Sequence, residues 1–76
     1  MPKLYTSTSC AKCLIVKRQL SSSNIKYKEY DIEDENVLTD LISRGITVQS
    51  VPILELEGKF YYTLEEIITA LILGEK

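Results

Sequence analysis

The segment that decides the fold is Lys3-Leu4-Tyr5-Thr6-Ser7-Thr8-Ser9-Cys10-Ala11-Lys12-Cys13. Leu4 and Tyr5 suit a short strand. The hydroxyl residues that follow, at positions 7–9, are of the kinds that favour the N-terminus of a helix. We therefore expect a strand, a brief turn, and then a helix whose first turn carries both cysteines of the chain.

The predicted first helix covers residues 10 to about 21, a stretch without glycine or proline. Cys13, Val16 and Leu20 recur at helical spacing, and the neighbouring Leu14 and Ile15 widen the apolar face. The remaining face is polar, with Lys12, Lys17, Arg18 and Gln19. Residues 21–24 are all serine or asparagine, so the helix is expected to give way to a loop there.

A second strand and a second helix are predicted next. Residues 25–32 show a period-2 alternation, which is typical of a strand. The acidic run at residues 33–35 matches the dipole of a helix start, and Gly45 provides the stop, with Arg44 just before it. The apolar residues of this helix are Val37, Leu38, Leu41 and Ile42.

The last part of the chain predicts a hairpin followed by a third helix. Residues 51–57 read as a strand that opens on Pro52, and Gly58 marks a tight turn into residues 59–62. Thr63 and Glu66 have the spacing of a capping box, and Gly74 marks the C-terminal stop. The apolar residues at helical spacing are Ile67, Ile68, Leu71 and Ile72.

The resulting order is β-α-β-α-β-β-α, an α/β fold. The first two strands are joined by a helix and should be parallel with a right-handed crossover. The last two strands form an antiparallel hairpin. We therefore predict a mixed four-stranded sheet with helices on its faces, in a single domain over residues 1–76.

Composition excludes several classes of function. Of the 76 residues 45% are apolar and 26% charged, which argues against disorder. The net charge is −2 and the chain has no block of basic residues, which argues against nucleic-acid binding. The chain has no histidine, so no Cys-His or Ser-His pair can form.

We expect a cytoplasmic protein that does not enter the membrane. The N-terminus has no apolar h-region of a signal peptide. The longest mostly apolar stretch, residues 67–73, is far shorter than the roughly 20 residues that a membrane span needs. The two cysteines lie close together rather than spread along the chain, which does not suit a disulfide scaffold.

Cys10 and Cys13 carry the strongest chemical signal. Residues i and i+3 share one face of a helix, so the two sulfurs can form a disulfide. Cys10 would lie near unpaired N–H groups at the positive end of the helix dipole, and Lys12 adds a nearby cation; both stabilise a thiolate. Cys13 lies one turn deeper, so it suits the role of the resolving thiol in disulfide exchange.

Two other interpretations of this pair remain open. A structural disulfide closing so short a loop would add only about 2 kcal/mol in the chain-entropy model. A zinc site needs four ligands, which one chain lacks but two chains could pool. A Cys-x-x-Cys motif before a βαβ pattern favours redox chemistry over both.

Val51-Pro52 is the second signal. On its own it reads as an ordinary proline at the start of an edge strand. In the predicted fold, Ser50, Val51 and Pro52 come beside Cys10. A cis bond there would turn the Val51 backbone outward, where an extended substrate could pair with it as an added strand.

The chain resembles the glutaredoxins, and among them the small glutaredoxin-like NrdH-redoxins, over essentially its whole length. The matching features are the Leu4-Tyr5-Thr6 strand leading into Cys10-Ala11-Lys12-Cys13, Val16-Lys17 and Leu20 after it, Tyr30-Asp31-Ile32, Ser50-Val51-Pro52 and Gly58. The resemblance implies a thioredoxin fold, a cis-Pro52 and dithiol chemistry at Cys10 and Cys13.

Three departures from the family bear on glutathione. Ser7 stands where the family usually has a lysine or arginine, and Tyr61-Tyr62 replace two glycines of a groove that holds glutathione. The pair between the cysteines is Ala11-Lys12, not the Pro-Tyr common in members that use glutathione. We therefore expect weak glutathione recognition, with Tyr62 and Lys12 beside the substrate.

The predicted function is thiol–disulfide oxidoreduction by a monomer, with no cofactor beyond the redox-active disulfide. The resemblance implies a protein client such as ribonucleotide reductase, and thioredoxin reductase or glutathione as the reductant. The alternatives are a metal-binding module in which two chains share the Cys10 and Cys13 thiolates, and a redox-responsive binding module without turnover.

Overall fold

A computed structural model describes residues 1–74 of the chain and confirms the predicted order of elements. The strands are β1 (Lys3–Thr6), β2 (Lys28–Asp31), β3 (Ile53–Leu56) and β4 (Lys59–Tyr61). The helices are α1 (Ala11–Ser22), α2 (Glu35–Ser43) and α3 (Leu64–Gly74). Gly74, the predicted stop, is the last residue that the structure describes.

The sheet is mixed and four-stranded, with the strand order β2-β1-β3-β4. β1 pairs in parallel with β2, while β1–β3 and β3–β4 are antiparallel. The prediction of a parallel βαβ unit followed by a hairpin is therefore confirmed. The C-terminal end of β1 and the N-terminal end of β3 lie side by side at one end of the central strands. The cysteine-bearing turn and the Val51-Pro52 segment are at this end.

The predicted bounds of β2 and β3 were too wide. β2 begins at Lys28 rather than at residue 25, because its partner β1 begins at Lys3 and only two residues precede it. Ile25 and Tyr27 pack against the core without joining the sheet. β3 begins at Ile53, after a proline that has no N–H to donate to a ladder.

The sheet buries a different cluster on each face. Leu4 and Tyr5 are adjacent in β1, so they point to opposite faces. On one face, α1 and α3 cover the cluster Leu4, Val16, Leu20, Leu54, Ile67 and Leu71. On the other, α2 covers the cluster Tyr5, Leu41 and Ile53. Helices thus lie on both faces, as predicted.

The predicted apolar faces of the helices were also too wide. Leu14 and Ile15 in α1 are 54% and 45% exposed, and Ile42 in α2 and Ile72 in α3 are 60% and 55% exposed. A short helix on a sheet buries only a narrow stripe, and the buried residues of α1 are Cys13, Val16 and Leu20. Leu14 and Ile15 lie about 100° and 200° further round the helix than Cys13, and so face solvent.

The start and stop signals predicted for α2 are confirmed. Asp34 of the acidic run is the N-cap of α2 and accepts the N–H of Asn36 at 2.9 Å. At the other end Gly45 has φ +80°, and the N–H groups of Gly45 and Ile46 bond back to the carbonyls of Ile42 and Leu41. This is the Schellman arrangement, in which a left-handed glycine closes the helix.

A polar network lies on the α2 side of the sheet. The Arg44 guanidinium donates to both carboxylate oxygens of Glu55, at 3.1 and 2.7 Å, and lies over the ring of Phe60. The Tyr5 hydroxyl donates to Glu55 Oε1 at 3.0 Å. Burial, together with the neighbouring Glu55 carboxylate, raises the pKa of Tyr5 to about 12, and the Arg44 bond lowers the pKa of Glu55.

We expect the stability contributed by Tyr5 to be lost at high pH. Its pKa is higher in the folded state than the value of about 10 in an unfolded chain. The contribution is therefore complete below about pH 10 and disappears as the pH rises through about 12. The free energy of unfolding should fall by about 2–3 kcal/mol across this window, as measured by urea denaturation.

Tyr5→Phe is the control, because it removes the Tyr5 hydroxyl and leaves every other ionisable group in place. This variant should be about 1 kcal/mol less stable near neutral pH, because it lacks the hydrogen bond to Glu55. As the pH rises, the free energy of unfolding of this variant should then fall less steeply than that of the wild type. Parallel curves for the two proteins would contradict the role of Tyr5.

Candidate active site

Cys10 and Cys13 are joined by a disulfide at the start of α1, with their Cα atoms 5.2 Å apart. Cys10 is the N-cap of the helix, in an extended conformation with φ −137° and ψ 102°. Its Sγ accepts a hydrogen bond from the N–H of Cys13 at 3.0 Å. The hydroxyl residues at positions 7–9 therefore precede the cap, and a cysteine sulfur takes the capping role itself.

The two sulfurs differ in accessibility, as predicted. Cys13 is 2% exposed and lies among the buried residues of α1. Cys10 is half-buried and so is the more accessible of the two residues. A sulfur at a helix N-terminus, held by a backbone N–H, is the environment in which a thiolate is favoured over a thiol.

The Val51-Pro52 segment lies directly beside Cys10. The carbonyl oxygen of Val51 is 3.8 Å from Cys10 Sγ, and the Val51–Pro52 peptide bond is cis, as the resemblance implied. Pro52 is buried, Val51 is half-buried and Ser50 is exposed. The structure thus brings the backbone of Val51 to the reactive sulfur and leaves Ser50 at the surface.

The two tyrosines after the hairpin have different surroundings. Tyr61 packs against the core cluster beneath α1 and α3. Tyr62 is 42% exposed, and its ring stacks on Phe60 with a centroid distance of 6.5 Å. Tyr61 pairs with Leu54 at the end of the β3–β4 ladder, and Tyr62 is the first residue after β4.

Sequence reasoning missed a contact that holds the turn before Cys10. The N–H and the hydroxyl of Thr8 both donate to Glu33 Oε2, at 3.4 and 2.9 Å. We interpreted Glu33 only as part of an acidic helix start. Twenty-five positions separate the two residues, so no local pattern in the sequence could indicate that they meet.

A second missed network lies beneath the first turns of α1. Lys17 Nζ is 2.6 Å from Glu29 Oε2, and the buried Thr6 hydroxyl donates to the same oxygen at 2.8 Å. The Lys17 bond is the main reason why the pKa of Glu29 is lowered. Lys17 is thus held by β2, whereas Lys12, between the two cysteines, is exposed.

Neither a metal-binding cluster nor a membrane-spanning helix is found in the part of the chain that the structure describes. Among residues 1–74, no group of three or more Cys, Asp or Glu side chains is arranged to hold a metal ion. In the same range, none of the helices has the length and apolar character needed to cross a membrane.

Comparison with known proteins identifies the family. The glutaredoxin family model matches residues 3–61, which include both cysteines and the Val51-Pro52 segment. The chain belongs to the glutaredoxin family. No curated protein matches its sequence significantly.

Solved structures share the fold of this chain. Glutaredoxin 1 from Francisella tularensis is 20% identical, with a TM-score of 0.74, and the match covers 96% of this chain and 95% of that one. The NrdH-redoxin from Escherichia coli is 15% identical, with a TM-score of 0.73 and 92% of each chain covered. The thioredoxin-like protein BC3987 is 20% identical, with a TM-score of 0.76 over both full chains. These likenesses confirm the thioredoxin-like fold.

The glutaredoxin family and the Cys10–Cys13 disulfide together support thiol–disulfide oxidoreduction as the general activity. A disulfide held in a helix turn can take up two electrons and two protons to become a dithiol, and it can release them again without any other group.

Lys12→Ala should change the titration of Cys10 only slightly. Lys12 is one exposed cation, so its loss should raise the pH of half-ionisation of Cys10 by a few tenths to about one pH unit. High salt should remove part of this effect. The measurement is the pH dependence of alkylation of the reduced protein.

Lys17→Ala is the matched control, because Lys17 is on the same helix but is already paired with Glu29. It should leave the titration of Cys10 nearly unchanged. If Lys12→Ala also left it unchanged, the helix terminus alone would account for the thiolate.

Proposed function

We propose that this glutaredoxin is an electron carrier that reduces protein disulfides through the Cys10-Cys13 dithiol. The observation that carries the proposal is the asymmetry of the pair. Cys10 is half-buried and accepts a backbone N–H at the start of α1, while Cys13 is buried one turn further on. This difference supports Cys10 as the attacking sulfur and Cys13 as the resolving sulfur.

The reaction proceeds in two exchanges. The Cys10 thiolate attacks one sulfur of the client disulfide, so that a Cys10–client disulfide forms and the first client thiolate leaves. Cys13 then loses its proton and attacks Cys10 Sγ, which releases the second client thiolate and forms the Cys10–Cys13 disulfide. Two electrons pass to the client, and both of its thiolates take up protons.

The backbone beside Cys10 suits an extended protein segment as the substrate. The Val51 carbonyl lies against Cys10 Sγ, and a client strand can pair with this backbone whatever its side chains are. We expect the exposed residues Ser50, Tyr62 and Lys12 to contact the bound segment. Ribonucleotide reductase is the client that the NrdH-redoxin resemblance suggests.

Glutathione is a poorer substrate in this proposal. Ser7 provides no positive charge, and Tyr62, whose ring is exposed, stands in place of a glycine of the groove that holds glutathione in similar proteins. The E. coli NrdH-redoxin, which shares this fold, is a glutaredoxin-like protein with a thioredoxin-like activity profile. We therefore assign re-reduction of this chain to a thioredoxin reductase rather than to glutathione.

One pair of assays tests the proposal. The oxidised protein is mixed either with thioredoxin reductase and NADPH, or with glutathione, glutathione reductase and NADPH, and insulin disulfides serve as the final acceptor. Turnover should be faster with thioredoxin reductase. Faster turnover with glutathione would reverse the assignment of the reductant, and failure to reduce any disulfide after chemical reduction would refute the electron-carrier function.

The glutathione prediction has its own measurement. The rate with a glutathionylated peptide should be well below that of a Cys-Pro-Tyr-Cys glutaredoxin under matched conditions. Equal rates for the two proteins would show that Ser7 and Tyr62 do not impair glutathione recognition.

A further inference from the structure

The turn that leads from β1 into Cys10 is anchored at its middle residue. The N–H and the hydroxyl of Thr8 both donate to Glu33 Oε2, at 3.4 and 2.9 Å. Among residues 1–74, Thr8 is the only one of positions 7–9 that forms hydrogen bonds. One carboxylate oxygen therefore holds the whole turn.

Glu33 is itself held by the turn between β2 and α2. Its N–H donates to Asp31 Oδ1 at 2.9 Å, and the Asp34 N–H donates to the Asp31 carbonyl at 3.1 Å. Asp31 is the last residue of β2, and an aspartate that bonds the backbone two residues further on forms an Asx turn. The Ile32 N–H also donates to the Thr6 carbonyl at 2.9 Å. The Glu33 backbone is therefore fixed relative to the end of β1, where the cysteine-bearing turn begins.

The position of Cys10 depends on the segments on both of its sides. On one side it is the N-cap of α1, where its Sγ accepts the Cys13 N–H at 3.0 Å and lies 3.8 Å from the Val51 carbonyl oxygen. On the other side, only Ser9 separates it from Thr8. In the dithiol form the two sulfurs are not bonded to each other, so the backbone of Cys10 and the hydrogen bond to its sulfur set the direction of the side chain. The anchor at Thr8 restricts that backbone.

We infer that Glu33 is a positioning residue of the redox site, which holds the Cys10 thiolate at the N-terminus of α1 through Thr8. The inference rests on the proposed function, in which Cys10 is the attacking sulfur. Glu33 acts through the backbone and not through its charge. A carboxylate near a thiolate opposes ionisation, whereas a turn that keeps the sulfur at the helix N–H groups favours it. Loss of the anchor and loss of the charge therefore shift the titration of Cys10 in opposite directions.

Glu33→Ala removes both the anchor and the charge. The pH of half-ionisation of Cys10 should rise by about half a unit, because the freed turn lets the sulfur move away from the helix N–H groups. The rate of disulfide reduction well below that pH should fall about twofold, since the loss of thiolate is partly offset by the greater nucleophilicity of a more basic thiolate.

Two measurements on the reduced, desalted protein check this expectation. The first is the pH dependence of alkylation, with the labelled cysteine located by mass spectrometry. The second is the single-turnover reduction of insulin disulfides, in which the two protein thiols become the Cys10–Cys13 disulfide and each insulin disulfide gives two thiols.

Two further carboxylate variants separate the contact from the charge. Glu33→Gln keeps an oxygen that can accept from Thr8 and removes the charge, so the pH of half-ionisation of Cys10 should not rise. Glu35→Ala is the matched control, because it removes the same charge two positions further on, from an exposed side chain that forms no hydrogen bond within residues 1–74. It should titrate like the wild type.

Variants of Thr8 test the same contact from its other side. Thr8→Val removes the hydroxyl donor and keeps the branched shape, so it should shift the titration in the same direction as Glu33→Ala. The double variant should match Glu33→Ala alone, because both changes remove one contact. Thr8→Ser keeps the hydroxyl and should titrate like the wild type. The comparison of Thr8→Val with Thr8→Ser decides the question if Glu33→Ala does not fold.

The outcomes separate the role of Glu33 from the proposed function. A rise in Glu33→Ala that is absent from Glu33→Gln and Glu35→Ala, and that the double variant does not enlarge, supports the inference. An unchanged or lowered pH of half-ionisation in Glu33→Ala, or additive shifts in the double variant, overturns the inference and leaves the electron-carrier function standing. A reduced wild-type protein that reduces no insulin disulfide overturns both.

Discussion

Cys10→Ser should reduce the rate of disulfide reduction to that of the uncatalysed background. Of the two cysteines, Cys10 is the less buried, and its sulfur accepts a hydrogen bond from the helix N-terminus. A serine hydroxyl in the same place does not ionise near neutral pH and cannot form a disulfide with the client. The measurement is the reduction of insulin disulfides, with the chemically reduced wild type as reference.

Cys13→Ser should instead trap a mixed disulfide between Cys10 and its client. The first exchange needs only Cys10, while the second needs the sulfur that is 2% exposed beneath it. Mass spectrometry of the isolated adduct should locate the bond at Cys10. Alkylation of the reduced wild type at mildly acidic pH should also label Cys10 first, and labelling of Cys13 ahead of Cys10 would reverse the assignment.

The elements that the sequence predicted well are those set by local chemistry. The left-handed glycine after α2, the capping box at α3 and the turn at Gly58 each depend on residues a few positions apart. Such signals fix where an element begins and ends, because backbone N–H and C=O groups at these points need partners nearby. The order of elements then restricts the topology to very few choices.

The core of the site was also predictable, for a related reason. The distance between Cys10 and Cys13 is set by one helical turn, and their difference in burial follows from the stripe that continues through Val16 and Leu20. The approach of Val51 to Cys10 came from the family resemblance and from the sheet topology. The sequence alone did not indicate that Cys10 itself caps the helix.

Contacts between residues distant in sequence could not be predicted. Thr8 and Glu33 meet because the ends of β1 and β2 lie side by side, and Tyr5, Arg44 and Glu55 meet because α2 packs across the sheet. A single sequence contains no pattern that links such positions.

The apolar face that the sequence predicted for α1 is wider than the face that is buried, and two substitutions within α1 can test this difference. Leu20 is fully buried between α1, α3 and the sheet, whereas Leu14 is 54% exposed. Leu20→Ala should lower the free energy of unfolding by about 2–5 kcal/mol, from lost burial and the cavity left behind. That is a large part of the stability of so small a domain.

Leu14→Ala is the matched control, since it makes the same chemical change on the same helix. It should alter the free energy of unfolding by no more than about 0.5 kcal/mol, because no buried contact is lost and alanine favours a helix. Urea denaturation of the oxidised proteins measures both. A cost for Leu14→Ala close to that for Leu20→Ala would mean that Leu14 is buried in the folded protein. The buried apolar face of α1 would then be as wide as the sequence pattern predicted.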